Sequence, residues 1–267
     1  MNTIIILFIV ALVFSSVGWK KFLYFISIGY GFSVAACAVT IAIVHFHSIT
    51  LPGAILCGIL FIYGLRLGGY LLLRELRSSS YNKVIKDITG EDNYPFVASF
   101  CIWIACAVLY VGEVSPVAFI LDNAKAGLPV NWGWAWAGII VMLSGVALES
   151  AADAQKSAAK KVNPHRFVDT GLYKIVRCPN YFGEVVMWTG CFIICFGACC
   201  NVWQWILAAV GYISIVYIMF SGARRLEVRQ NKNYGSDPEY QAYVKKTPIL
   251  IPLLPLYSVE KYTWLKG

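Results

Sequence analysis

Long apolar blocks separated by short polar stretches organise this chain, at roughly residues 3–17, 22–46, 52–73, 96–121, 132–149, 183–200 and 202–221. Most approach the ~20 residues that a helix needs to cross a bilayer. The pattern predicts an all-α, polytopic membrane protein with about seven transmembrane helices in one bundle. Ser15 and Ser16 make the first block the least certain. It resembles a secretory signal in position, but no small-residue cleavage site precedes a soluble domain, so it is kept as a span. No Pro- or Ser-rich linker and no repeat divides the chain. A single membrane domain over 1–267 is therefore expected, with 222–267 as a C-terminal tail.

Composition agrees with the blocks: 59% of the residues are hydrophobic and 13% charged, against about 25% charged in a soluble domain. Lysine and arginine collect in cytosolic loops when a helical protein inserts. Seven spans put Lys20, Lys21, Arg74, Arg77, Lys83, Lys86, the basic 156–177 loop and the tail on one side, with only Lys125 on the other. This separation predicts an external N-terminus and a cytosolic C-terminus, in the endoplasmic reticulum membrane or a bacterial inner membrane. The net charge of +8 then suits anionic lipid rather than nucleic acid. Nine cysteines, mostly inside apolar blocks and without zinc-type spacing, read as small buried residues. Cys191, Cys195 and Cys199 share a helical face, but no neighbouring histidine or acid makes them a metal site.

Polar side chains at membrane depth carry the candidate chemistry. In "ALESAADAQKSAAKK" Glu149, Asp153, Lys156 and Lys160 fall at spacings of four, three and four, on one helical face. They form either a solvated helix end with dipole-complementing lysines or one wall of a polar pocket. The later stretch "RCPNYFGE" begins a helix at Pro179 and puts Asn180 and Glu184 one turn apart. Glu184 near a helix N-terminus suits structural capping. The same end, with Lys174, Arg177, Asn180 and Tyr181, also suits recognition of an anion or amide. In "FIYGLRLGGYLLLR" Tyr63, Arg66 and Tyr70 share a face, and an arginine inside an apolar helix is a functional candidate by default. Arg74 and Arg77 read as interface anchors. Glu113 is the remaining acid at membrane depth, able as a buried carboxylic acid to donate a proton or to serve structurally near the outer interface. His45 and His47 read as interface residues.

Several stretches together resemble a known family: "ADAQK" at 152–156, "DTGLYKIVRCPNYFGE" at 169–184, "GARRLE" at 222–227 and "EYQAYVKKTPILIP" at 239–252. They are similar to the uncharacterised-domain (DUF1295) branch of the steroid 5-alpha-reductase family, a superfamily that also includes sterol reductases and, more distantly, isoprenylcysteine carboxyl methyltransferases. The resemblance is dense over about 150–252 and thin over the first 60 residues. It implies a seven-helix bundle that holds NADPH in a cytosol-facing cavity closed by the tail, with a lipid-like substrate entering from the membrane. On the family pattern Asp153 and Asn180 hydrogen-bond the nucleotide, Lys160 and Arg66 meet its phosphates, and Arg166, Tyr181 and Glu184 complete the cavity. Tyr63 matches the tyrosine that polarises the substrate carbonyl. Steroid-reducing members use an early-helix acid beside that tyrosine, whereas here no Asp or Glu precedes Glu75. The resemblance therefore implies a different lipid substrate or a different proton donor, with Glu113 as a second catalytic candidate.

Three functions compete at this stage. An NADPH-dependent reductase of a carbon–carbon double bond in a steroid-like or enone lipid suits the cationic positions Arg66, Lys160, Arg166 and Arg177. An S-adenosylmethionine-dependent lipid or isoprenylcysteine-type methyltransferase shares a similar arginine-proline-tyrosine-glutamate segment, but its cofactor is a cation. A non-enzymatic sterol-binding protein accommodates the missing early acid. No protein partner is expected, and without an internal repeat or broken-helix pair a transporter is disfavoured.

Overall fold

A computed structural model describes residues 3–77 and 95–265. Lys83 and Lys86, used above for topology, lie outside the described residues, as do the side chains of Arg74 and Arg77. The helices are α1 (Thr3–Ser15), α2 (Ile28–Val44), α3 (Leu51–Arg77), α4 (Phe96–Lys125), α5 (Trp132–Val162), α6 (Pro179–Ile193), α7 (Cys195–Ala198), α8 (Val202–Tyr234) and α9 (Pro238–Lys246). Among the described residues there is no strand, so the all-α expectation holds.

Among the described residues, six stretches are long and apolar enough to cross a membrane: Phe22–Val44, Leu51–Leu73, Phe96–Lys125, Trp132–Val162, Pro179–Ala198 and Val202–Tyr234. The first expected span is a shorter apolar helix, Thr3–Trp19. Its serines explain the shortness. Ser15 Oγ donates to the Ala11 carbonyl at 2.6 Å and Ser16 Oγ to the Val13 carbonyl at 2.6 Å. Such back-bonding competes with the helical ladder, and the chain tightens into a 3₁₀ turn over Ser16–Trp19.

The chain groups into two compact units, residues 1–139 with 191–212, and residues 140–190 with 213–267. In the first unit α2 and α3 touch backbone to backbone. A Cβ placed on Gly31 would lie 2.4 Å from the Gly68 nitrogen, and one on Gly64 would lie 2.5 Å from the Gly31 carbonyl oxygen. Gly64 and Gly68 are four apart, the small-xxx-small spacing that allows close helix approach where lipid removes the hydrophobic drive between helices. A second close crossing joins α4 and α8, where a Cβ on Gly211 would lie 2.3 Å from the Gly112 carbonyl carbon. Polar bonds tie helix ends: Asp122 Oδ1 accepts from Thr3 Oγ1 at 2.6 Å and meets His45 Nε2 at 2.9 Å. His45, read from the sequence as an interface residue, is thus a buried tie between α2 and α4.

In the second unit α5 and α6 cross just as closely. A Cβ on Gly145 would lie 2.3 Å from the Met187 nitrogen, and one on Gly183 would lie 2.6 Å from the Glu149 nitrogen. The chain after α9 is bonded to the start of α6: Arg177 N–H donates to the Pro248 carbonyl at 2.9 Å and Cys178 N–H to the Ile249 carbonyl at 3.0 Å. Phe167 packs against Tyr234, Tyr240 and Tyr243, which joins the loop after α5 to α8 and α9.

Overfilling a tight crossing typically costs about 1–3 kcal/mol. Gly31→Leu should therefore lower the midpoint of thermal unfolding in detergent. Gly69→Leu, whose added Cβ meets nothing within 4 Å, should leave it nearly unchanged, as a fluorescence-detected melt would show.

Candidate functional site

The second unit contains the end of α5 and the start of α6, where the sequence places most of its polar candidates. Pro179 opens α6, and Cys178 precedes it with its carbonyl accepting from Phe182 N–H at 3.0 Å. Gly183 sits between Tyr181 and Glu184. Because it carries no side chain, the first turns of α6 lie directly on α5 at Glu149, one turn before Asp153. Glu149 and Glu184 are both buried, and Asp153, Asn180 and Tyr181 are half-buried. Tyr181 lies against Gly222 of α8, where a Cβ would come within 3.2 Å of its ring. Tyr173 joins this group: its hydroxyl donates to the Ala152 carbonyl at 3.3 Å. Burial, then the nearby Asp153 carboxylate, pushes its phenol well above the ordinary tyrosine range, with Tyr181 and Cys178 also close enough to contribute. The structure therefore gathers the α5 face and the α6 start around one polar region.

Lys160, expected at the phosphates, and Arg166, expected to complete the cavity, both have protein partners. Lys160 Nζ donates to the Arg166 carbonyl at 2.6 Å, the Pro164 carbonyl at 3.0 Å and the Tyr234 hydroxyl at 3.2 Å, which fills its three donors and ties the end of α5 to the loop that follows and to α8. Arg166 pairs with Glu239 at 2.6 Å and Asp169 at 3.0 Å, and these carboxylates raise its pKa further. That pair is solvent-exposed and can be exchanged at little cost. Lys156 lies near the α6 start, since its charge acts on the Cys178 thiol. Burial still dominates there and lifts the thiol to about 12, so Cys178 stays protonated and serves as packing.

Arg177 is not a surface anion site. Its guanidinium is buried and Nη2 donates to Glu227 Oε1 at 2.6 Å and to the Tyr257 carbonyl at 2.7 Å. The other carboxylate oxygen of Glu227 accepts from Val259 N–H at 2.8 Å. One ion pair thus locks the start of α6 to α8 and to the segment that follows α9. Sequence reasoning missed Glu227 as an individual residue, although it closes the "GARRLE" motif.

The first unit contains Tyr63, Arg66 and Glu113. Tyr63 is fully buried on α3, and its hydroxyl lies 3.3 Å from that of Tyr30 on α2. The Tyr30 ring packs 5.2 Å from that of Tyr110, whose hydroxyl donates to the Phe25 carbonyl. Arg66 is half-buried one turn further along, whereas Tyr70 is exposed, so the expected Tyr63–Arg66–Tyr70 face is buried at only one end. Glu113 is buried on α4, with Cys37, Cys106, Tyr110 and Cys191 close enough to feel its charge. Among the described residues no cluster of three or more His, Cys, Asp or Glu could hold a metal ion.

The model of a family described as "Protein of unknown function (DUF1295)" matches residues 13–247. The steroid 5-alpha-reductase DET2 of Arabidopsis thaliana is 31% identical over 87 residues, covering 31% of this chain and 29% of the relative. The steroid 5-alpha-reductase DET2 of Gossypium hirsutum is 30% identical over 77 residues, covering 28% and 27% respectively. The matched region thus spans under a third of each relative's length. No solved structure matches.

Breaking a buried ion pair by removing one partner costs about 3–5 kcal/mol, because the other charge stays buried. Glu227→Ala should sharply lower the unfolding midpoint. The double change Arg177→Met with Glu227→Leu should recover most of the loss in the same melt.

Proposed function

This chain belongs to the DUF1295 family, a branch of the steroid 5-alpha-reductase family, and on that footing we propose that it is an NADPH-dependent membrane oxidoreductase. Its substrate is a lipid-soluble molecule with a carbon–carbon double bond conjugated to a carbonyl. The observation that carries this reading is the seating of α6 on α5 through Gly183, which lines up Asp153, Asn180, Tyr181 and Glu184 at a helix N-terminus.

The donor set suits a dinucleotide. Carboxylates of Asp153 and Glu184 can accept from ribose hydroxyls, and the Asn180 amide can both donate to and accept from a carboxamide. The N-terminal end of α6 favours negative charge. Lys156 lies beside it, and Arg166 can exchange its exposed carboxylates for phosphate oxygens, which form bidentate pairs with guanidinium equally well. Lys160 is the weaker member of the expected set, because its three donors are already used within the chain. When bound, NADPH supplies a hydride. Tyr63 is assigned to polarise the carbonyl oxygen of the substrate, Arg66 to meet the phosphates of the cofactor, and Glu113 is the second candidate acid. The apolar helices favour a substrate delivered from the membrane, and the C-terminus is assigned to the cytosol of an endoplasmic reticulum or bacterial inner membrane.

Titration of the detergent-purified protein, followed by tryptophan fluorescence, separates the readings. Saturable NADPH binding is expected, weakened at least about tenfold by Asn180→Ala through loss of hydrogen bonds worth about 1.4 kcal/mol or more. Binding of S-adenosylmethionine in place of NADPH would move the protein to the methyltransferases, and binding of neither would favour a non-enzymatic role.

A further inference from the structure

We propose that the segment Val259–Leu265 docks in the interfacial layer of a phospholipid bilayer, with Trp264 as its anchor. The tail then rests on the membrane that α8 crosses instead of standing in water. It does so whether or not the chain is a reductase.

The helix sets the depth. α8 carries no charged residue before Arg224, and the run from Val202 to Ala223 is long enough to cross the hydrocarbon core. Arg224 therefore marks the level at which α8 leaves the apolar layer. Tyr217 lies two turns earlier, about 10 Å deeper. The tail follows α8 back to that level. Val259 N–H donates to Glu227 Oε2 at 2.8 Å, Arg224 Nε to the Glu260 carbonyl at 3.0 Å, and the Tyr217 hydroxyl to the Trp264 carbonyl at 2.9 Å. As the tail advances, its partners recede along α8, so the two run antiparallel and the tail ends at the edge of the apolar layer.

Backbone polar groups are the obstacle to such a descent, because lipid cannot hydrogen-bond them. Here the segment meets its own needs. Tyr262 N–H donates to the Val259 carbonyl, Thr263 N–H to the Lys261 carbonyl and Leu265 N–H to the Tyr262 carbonyl, each at 3.0 Å. Arg224 Nη1 also reaches the Leu265 carbonyl at 3.5 Å. A phenol and a guanidinium on the outer part of a membrane helix are thereby spent on the tail.

The side chains sort by layer. Val259 and Leu265 turn inward and are buried. Trp264 stacks on Tyr217 with ring centroids 6.1 Å apart, yet it is 63% exposed. The α8 face beneath it continues one turn deeper with Ile213, which is 65% exposed. An apolar surface on a membrane-crossing helix is covered by lipid, and Trp264 extends that surface. Lys261 is exposed and lies over the Tyr262 ring at 5.2 Å, and Arg225 is exposed at the level of Arg224. Both can meet lipid phosphates. Lysine, tyrosine and tryptophan in order toward the apolar layer are the side chains that anchor proteins at a bilayer interface. Glu260, the one acid of the segment, accepts from Asn231 at 2.7 Å. Through Val259 and Glu227 the docked segment is tied to Arg177 at the start of α6.

The test uses the full chain, labelled with fluorotryptophan and reconstituted in phosphatidylcholine nanodiscs. The fluorine signal of Trp264 is identified by its absence in Trp264→Phe, or in Trp264→Tyr where the first variant does not fold. A nitroxide carried on the lipid acyl chain close to the headgroup should broaden that signal beyond detection. A gadolinium chelate confined to the water should broaden it less. Broadening by the chelate as strong as that by the nitroxide would set the tail in water and overturn the proposal. Broadening by neither agent would mean that protein, whether a second copy or another part of this chain, covers Trp264, and would overturn it equally.

Discussion

Close contact between helix backbones at glycine is the constraint on which the rest of this structure depends. Lipid is as apolar as leucine, so helices within it gain little from burying apolar surface against one another. Removing Cβ atoms lets backbones approach and makes dispersion contacts dense. Gly31 with Gly64 and Gly68, Gly112 with Gly211, and Gly145 with Gly183 do this in three helix pairs. Each pair is more than packing. The first sets Tyr30 against Tyr63, and the last sets the α6 start on the acidic face of α5.

Polar groups then hold what the glycines bring together. The Arg177–Glu227 pair is costly to desolvate, and backbone groups of the terminal segment offset part of that cost: the guanidinium donates to the Tyr257 carbonyl, and Glu227 Oε2 accepts from Val259 N–H. Together with the bonds to Pro248 and Ile249, it makes the tail part of the second unit rather than an appendage. The phenols around Phe167 complete that attachment. Burial lifts Tyr240 to about 12, so it remains a neutral donor, and its hydroxyl reaches Asn231 at 2.7 Å.

Much of the helical layout was legible because membrane spans are written as uninterrupted apolar blocks. The first block, expected over 3–17, is the apolar helix Thr3–Trp19; the back-bonding of Ser15 and Ser16 was not legible, because the surrounding packing decides whether serine hydroxyls face water or bond to carbonyls. The stretch "RCPNYFGE" was legible as polar residues at a helix start, whereas the close crossing at Gly183 shows only in the packing of α6 on α5. Partners distant in sequence were not legible. Arg177 looked like an anion site because Glu227 is fifty residues away, and Lys160 looked free because two of its acceptors are carbonyls, which no sequence displays, and the third is the distant Tyr234 hydroxyl. Tyr30 was hidden for a related reason: a tyrosine in an apolar run reads as packing until the helix crossing puts another hydroxyl opposite it.

Hydrogen–deuterium exchange with and without NADPH, read by mass spectrometry along the detergent-solubilised chain, tests the central claim most directly. The account predicts that NADPH slows exchange of amides at the end of α5 and the start of α6, residues 149–160 and 178–186. Protection absent from both stretches at saturating NADPH would contradict it.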